Sequence, residues 1–399
     1  MNQSKKTGHG KKTVIAVFLL LLFLPGFLMV ISKVLHKPFD IPLGGYTAGT
    51  EKPSLSISAW LSGDLQKNLT ETVEEQIKPR GLLVKTYNTI NFVLFGKSER
   101  VIGKKYDIFE PEYINAELAL NRADDFSQED NIAAMKEFVQ QLDILQDKLD
   151  TSGKSLLVYI APSKANLHKE NIPDKYIALS SGHERAVDLF REEMEKTDIP
   201  FLICSDLADQ LEYPAFYSTG IHWSRTYEQK TSEELIKMIQ ERTGMPYSEL
   251  VLYDVVESTE PFWRDNDVLD LANVFYKPNE TYYEYLSYMD MNADSPVLRI
   301  LLQGDSFALG LRKDILENDP DAEIYLVTND YSVTDRNDEV FLLNYDWGNL
   351  NWQYYLDHCD IVVVEIAEPF VKHRTYGFVQ RLLTELENYI PNDSQSKVD

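Results

Sequence analysis

The chain has 399 residues, 44% of them hydrophobic and 12% aromatic, enough for a sizeable core and too many for a disordered polymer. Its formal net charge of -25 argues against attraction to nucleic acid or anionic lipid heads through the overall field. Its two cysteines, Cys204 and Cys359, lie in or beside apolar strand-like runs and read as buried free thiols; with seven scattered histidines they supply no metal-ligand spacing, so no metal is expected.

Residues 1–12 form a basic tail containing Lys5, Lys6, Lys11 and Lys12, and Val14 to Ser32 is an uncharged run of 19 residues. Such a run can cross the ~30 Å hydrocarbon layer as one helix. No Ala-x-Ala-like cleavage site follows it, so residues 13–35 are expected to be an uncleaved single-pass anchor. The positive-inside rule then puts the tail in the cytoplasm and the bulk of the chain outside the cell membrane. Residues 36–98 read as a lead-in or linker, irregular around Pro38, Pro42, Gly44 and Gly45 and helix-like from Leu65 to Ile77.

From residue 99 to 392 the pattern alternates. A helix starting at Ser127 and Asp130 and running to Leu149 precedes a strand at Leu156 to Ala161. Ser181 with Glu184 resembles a capping box for a helix to Lys196, followed by a strand at Phe201 to Ile203 and a helix from Thr226 to Arg242. Strand Val297 to Leu302, helix Ala308 to Leu316, strands Ile324 to Val327 and Ile361 to Ile366, and helix Tyr376 to Ile390 complete the series. Apolar strands separated by helices predict an α/β domain with a doubly wound parallel sheet. An irregular, aromatic-rich insertion is expected at about 254–292, with Trp263, Tyr276, Tyr282, Tyr283, Tyr285 and Tyr288 suited either to a glycan groove or to core and rim.

Two motifs carry chemistry. Gly304-Asp305-Ser306-Phe307 follows an apolar strand and opens a helix, which puts Ser306 on a strand-to-helix turn as a nucleophile. Ile221-His222-Trp223-Ser224 places His222 in a loop before another helix, as the base that takes the serine proton. Gly304 and Asp305 are read as supports of the turn, because adjacent strand residues point apart and Asp305 cannot also serve as the acid. The Ser306 N–H is one oxyanion donor, and Asn329, Lys164 and Trp223 are the other candidate oxyanion or substrate contacts, with a plain surface lysine as the alternative for Lys164.

Together with Val101-Ile102-Gly103-Lys104-Lys105-Tyr106-Asp107-Ile108-Phe109-Glu110, Ala161-Pro162-Ser163-Lys164 with Ile172-Pro173, Asp270-Leu271-Ala272, and Asp360-Ile361-Val362-Val363-Val364-Glu365-Ile366-Ala367, these motifs resemble the SGNH-hydrolase-like proteins of polysaccharide O-acetylation, the alginate O-acetyltransferase family and its Gram-positive relatives. The order of histidine before serine fits that branch. The resemblance implies an SGNH-like fold and an O-acetyltransferase acting on a polysaccharide, with no soluble cofactor and a membrane-bound O-acyltransferase as the partner that supplies acetyl groups. It departs from the family at Gly220, where the family's Asp-x-His-Trp motif has the acid that orients the histidine, and at Pro369, where a basic residue is expected. Asp206, Asp209, Glu212 and Glu228 lie near His222 in sequence, and none is singled out as a replacement. A carbohydrate acetyl esterase and a non-catalytic glycan-binding or assembly subunit are therefore kept as alternatives, the second because of Gly220.

Overall fold

The computed structural model describes residues 6–36, 41–45, 56–76, 80–120, 128–290 and 295–391; Lys5, Pro38 and the Ser127 helix start lie outside them. The chain divides into two compact units, one of residues Met1–Glu99 with Val268–Lys277, the other of Arg100–Asp267 with Pro278–Asp399.

In the first unit a helical stretch runs over Lys6–Leu35. It is not the straight single span expected: among the described residues no single helix is long and apolar enough to cross a membrane. The segments Lys11–Leu24 and Gly26–Leu35 meet that requirement only together, bent by 47°. The break falls at Pro25, whose nitrogen has no hydrogen to donate to the helix ladder. The expected helix from Leu65 is present as Asp64–Gln76, preceded by Ile57–Ser62; Gly63 separates them in the left-handed conformation at φ 89°. Helix Arg80–Phe95 carries the returning segment: Asn88 donates to the Ala272 carbonyl, Thr89 Oγ1 accepts from Phe275 N–H, and Phe92 packs on Tyr276. Asp270-Leu271-Ala272 thus forms part of this unit, in the short helix Asp267–Ala272.

The second unit is built on strands β1 (Ser155–Ala161), β2 (Phe201–Ile203), β3 (Glu249–Ser258), β4 (Tyr282–Asp290), β5 (Arg299–Gly304), β6 (Glu323–Thr328), β7 (Ser332–Thr334), β8 (Val340–Leu342) and β9 (Ile361–Ala367). The main sheet has seven strands in the order β8-β7-β6-β5-β9-β1-β2, parallel from β6 to β2 with β7 and β8 as antiparallel additions at one edge. Successive strand residues point to opposite faces, and both faces are apolar here. Leu157, Tyr159, Ile361 and Val363 join one buried cluster, and Leu156, Val158, Val362 and Val364 the other. Helices α3 (Arg225–Thr243) and α4 (Ala308–Asn318) supply the first cluster, and α1 (Gln128–Thr151), α2 (Ala186–Met194) and α5 (Phe378–Leu386) the second. The doubly wound expectation therefore holds.

Two local expectations are corrected. Ser181 and Glu184 do not cap a helix: Ser181 Oγ donates to the Ala119 carbonyl, and α2 starts later, at Ala186, with Arg185 before it paired to Asp188. The 254–292 insertion is more regular than expected, because its β-branched and aromatic residues pair as an antiparallel hairpin of β3 with β4, from Glu249 opposite Asp290 to Ser258 opposite Tyr282. Cys204 and Cys359 are free and buried, and burial pushes both thiols above their ordinary pKa, Cys359 to about 12.

Candidate active site

Ser306 sits two residues past the end of β5 and just before α4, exposed at the carboxyl edge of the sheet. The turn is tight. A Cβ on Gly304 would come within 2.5 Å of both the Ala308 methyl and Glu365 Oε2, so only glycine fits there. Asp305 braces the turn: its N–H donates to Glu365 Oε2 at 2.8 Å, and its Oδ1 accepts the Phe307 N–H at 2.9 Å. Burial raises the pKa of both carboxyls, and Glu365 goes well above the glutamate range because the Asp305 charge adds to its own desolvation. Glu365 therefore favours its protonated form more than a solvent-exposed glutamate does.

His222 is 8% exposed and stands in the loop before α3, whose N-cap is Ser224. Its Nε2 lies 2.7 Å from Ser306 Oγ and its Nδ1 2.6 Å from Asp267 Oδ2. A carboxylate can only accept, so Nδ1 carries the hydrogen and the Nε2 lone pair faces the serine hydroxyl. Asp267 Oδ1 accepts the Ile221 N–H at 3.0 Å, which fixes the carboxylate in line with the ring. The acid is thus found 45 residues after the histidine, inside the insertion, between the two hairpin strands.

Gly220 explains how Asp267 arrives. A Cβ there would lie 2.5 Å from the Asp265 carbonyl oxygen and 3.0 Å from its carbon, so the missing side chain makes room for the segment that delivers Asp267. That segment is tied down by Asp265, which is 1% exposed and accepts the Arg225 N–H at Oδ1 and the Phe262 N–H at Oδ2. The acids nearest His222 in sequence do not reach it. Asp206 pairs with Arg191, Glu228 takes the Trp223 indole N–H and Arg225, and neither Asp209 nor Glu212 bonds to the imidazole.

Lys164 is neither a surface lysine nor a free anion contact. It is fully buried, and its Nζ donates to the carbonyls of Tyr217, Ser218 and Gly220 at 2.7–2.8 Å and forms an ion pair with Asp107 Oδ1 at 2.8 Å. Burial lowers its pKa against the pull of Asp107. It pins the loop that leads into His222. Trp223 is 2% exposed and packs on Tyr159, Tyr227 and Phe307, so it supports the histidine and presents no face to a substrate. Asn329 lies on the neighbouring strand end, where its N–H donates to the Gly304 carbonyl and its Oδ1 accepts from Gln303; no hydrogen bond joins it to Ser306 or His222. Pro369 stands in the turn after β9, as read, with no basic side chain in its place.

Arg264 has no counterpart in the sequence reading. Its Nη1 donates to the Ser306 carbonyl and lies 3.2 Å from His222 Nε2. No motif flags it; only the segment that Gly220 admits brings it here.

A family model described as an SGNH hydrolase-like domain, acetyltransferase AlgX, matches residues 120–330. Among solved structures, the O-acetyltransferase domain of Pseudomonas putida AlgJ is similar at 14% identity and a TM-score of 0.45, over 73% of this chain and 99% of that one. Pseudomonas aeruginosa AlgX is similar at 13% identity and 0.43, over 72% and 67%, and Bacillus cereus PatB1 at 11% and 0.35, over 60% and 91%. None of the curated proteins matches. With more than half of its residues matched by that family model, the chain belongs to the SGNH hydrolase-like acetyltransferase family of AlgX.

Proposed function

We propose that this protein moves an acetyl group through an acyl-Ser306 to hydroxyls of a polysaccharide outside the cell membrane. The observation that carries the reading is the unbroken chain from Asp267 through His222 to Ser306, with hydrogen bonds of 2.6 and 2.7 Å. A lone serine or histidine needs no such alignment; an activated nucleophile does.

In the first half-reaction Ser306 Oγ attacks the acetyl carbonyl carbon while its proton passes to His222 Nε2. The tetrahedral oxyanion is held by the Ser306 N–H, and collapse expels the donor's leaving oxygen, which takes the proton back from Nε2. A sugar hydroxyl then attacks acetyl-Ser306 and gives its proton to Nε2; collapse releases the sugar ester as Ser306 Oγ takes that proton back from Nε2. Asp267 keeps the imidazole in the required tautomer and stabilises the imidazolium. The reading of a non-catalytic subunit rested on a histidine without an acid, and Asp267 removes that ground.

The bent apolar segment over Lys11–Leu24 and Gly26–Leu35 supports membrane attachment, and the lysines before it support an extracytoplasmic domain. Tethering beside a membrane-bound O-acyltransferase would raise the effective concentration of donor.

The test is intact mass and turnover of the full chain with p-nitrophenyl acetate. Wild type is expected to gain one acetyl and Ser306→Ala none, while Asp267→Asn loses about four orders of magnitude in turnover, as the same change does in serine proteases. Acetate released at an unchanged rate in the presence of glycan hydroxyls, with no acetylated glycan, would assign an esterase instead.

A further inference from the structure

We infer that Trp263, Arg264 and Lys313 form a subsite beside Ser306 for a sugar unit that carries an anionic group, a carboxylate or a phosphate. The inference rests on the acyl-Ser306 reading for its place in the reaction, and on its own geometry for the ligand.

Arg264, like Arg374, departs from the other half-buried and buried arginines of this unit. Arg185, Arg225 and Arg312 each meet at least one carboxylate. Arg264, in contrast, has no carboxylate partner among the described residues; Asp267, Asp305 and Glu228 act on it only at longer range. Its Nη1 is engaged with the Ser306 carbonyl and His222, whereas Nε and Nη2 make no hydrogen bond among the described residues. A half-buried guanidinium with two nitrogens free of protein acceptors can take an anionic ligand in fork geometry.

The neighbouring residue points the same way. Trp263 is 44% exposed and adopts φ 27°, a left-handed backbone that a bulky side chain seldom takes, and such strain collects at functional sites. The Arg264 guanidinium carbon and Lys313 Nζ each lie 4.9 Å from its ring centroid. Lys313 also pairs with Glu317 at 2.7 Å, so it is the secondary cation. An open indole accepts the C–H face of a pyranose, and the cations beside it read the substituent at the ring's edge. In a chain of net charge -25, an anionic polymer is repelled at a distance, and a local cation pair is what would hold one of its units at the nucleophile.

Isothermal titration of the full chain separates the possibilities. The probes are trigalacturonate, its neutral methyl ester, and a short poly(glycerol phosphate). Wild type is expected to bind at least one anionic probe about tenfold tighter than the methyl ester, the tighter of the two naming the anion. The preference should shrink as salt rises from about 50 to 500 mM. Arg264→Gln should reduce it to about twofold or less, Arg264→Lys should restore part of it, and Trp263→Ala should weaken charged and neutral sugars together. Anionic and neutral probes bound alike or not at all, a preference indifferent to salt, or one that survives in folded Arg264→Gln would each overturn the subsite. Ser306→Ala should keep the preference. A preserved preference with no Ser306-dependent acetyl adduct in the wild type would therefore reject the acyl-transfer reading and leave the subsite standing.

Discussion

Restoring the aspartate that the family carries before its histidine should damage this protein. In Gly220→Asp the new Cβ would lie 2.5 Å from the Asp265 carbonyl oxygen, where the backbone has no flexible end to turn aside. To reach even 3.0 Å the 264–267 segment must move by about half an ångström, and an ordinary carbon contact needs still more. Asp267 travels with that segment, and its bond to Nδ1 is only 2.6 Å long, so the shift falls on the acid that orients His222. Misplacement of this size costs a catalytic group on the order of 10- to 100-fold, and overpacking adds about 1–3 kcal/mol of destabilisation. The assay is turnover of p-nitrophenyl acetate with thermal melting, for wild type, Gly220→Ala, Gly220→Asp, Asp267→Asn and the double variant Gly220→Asp with Asp267→Asn. Gly220→Ala, with the same Cβ and no charge, should lose nearly as much as Gly220→Asp, and the double variant should stay as slow as Asp267→Asn. Wild-type turnover in Gly220→Asp, or rescue in the double variant, would refute the argument that the glycine is there to admit the relocated acid.

Lys164→Met should be strongly destabilising, by about 3–5 kcal/mol, because it removes the ion-pair partner of Asp107 Oδ1 and the donor to three loop carbonyls; a urea midpoint equal to wild type would refute this. Glu365, whose folded pKa is raised, holds its proton more tightly than the unfolded chain does, so its contribution is complete below pH 4.5 and is lost as pH rises toward the folded value. Glu365→Gln, a neutral isostere, should accordingly show a shallower fall in Tm between about pH 5 and 8 than wild type, by up to about 1.4 kcal/mol of stability per pH unit; parallel curves would show that the carboxyl is ionised throughout. Removal of residues 1–35 should shift the protein from the membrane to the soluble fraction in cell fractionation, and a truncated chain that still sediments with membranes would place the attachment elsewhere.

The parts of the molecule legible from sequence are those fixed by local periodicity. Val362, Val363 and Val364 could only be a strand covered on both sides, and the strand, turn and helix around Ser306 are written consecutively. His222 was legible through its motif. Asp267 was not, since nothing local distinguishes it from other acids and its role depends on a segment passing over Gly220, a contact between distant parts of the chain. Lys164 misled for a related reason: a lysine after a strand ordinarily reaches solvent, and only the folded 217–220 loop, with its carbonyls turned inward, makes burial of an ammonium tolerable. The hairpin of β3 and β4 was hidden because 23 residues separate its strands, far more than the roughly two to five of an ordinary hairpin loop.

The two buried cysteines have a practical consequence. With both thiols free, enclosed and resistant to ionisation, neither should compete for an alkylating reagent at neutral pH, and folding of this chain calls for no oxidant. A Ser306→Cys variant would then carry an accessible thiol facing an imidazole that can take its proton, and a thiol-directed label could be delivered to the nucleophile position of the native chain, the two native thiols being buried.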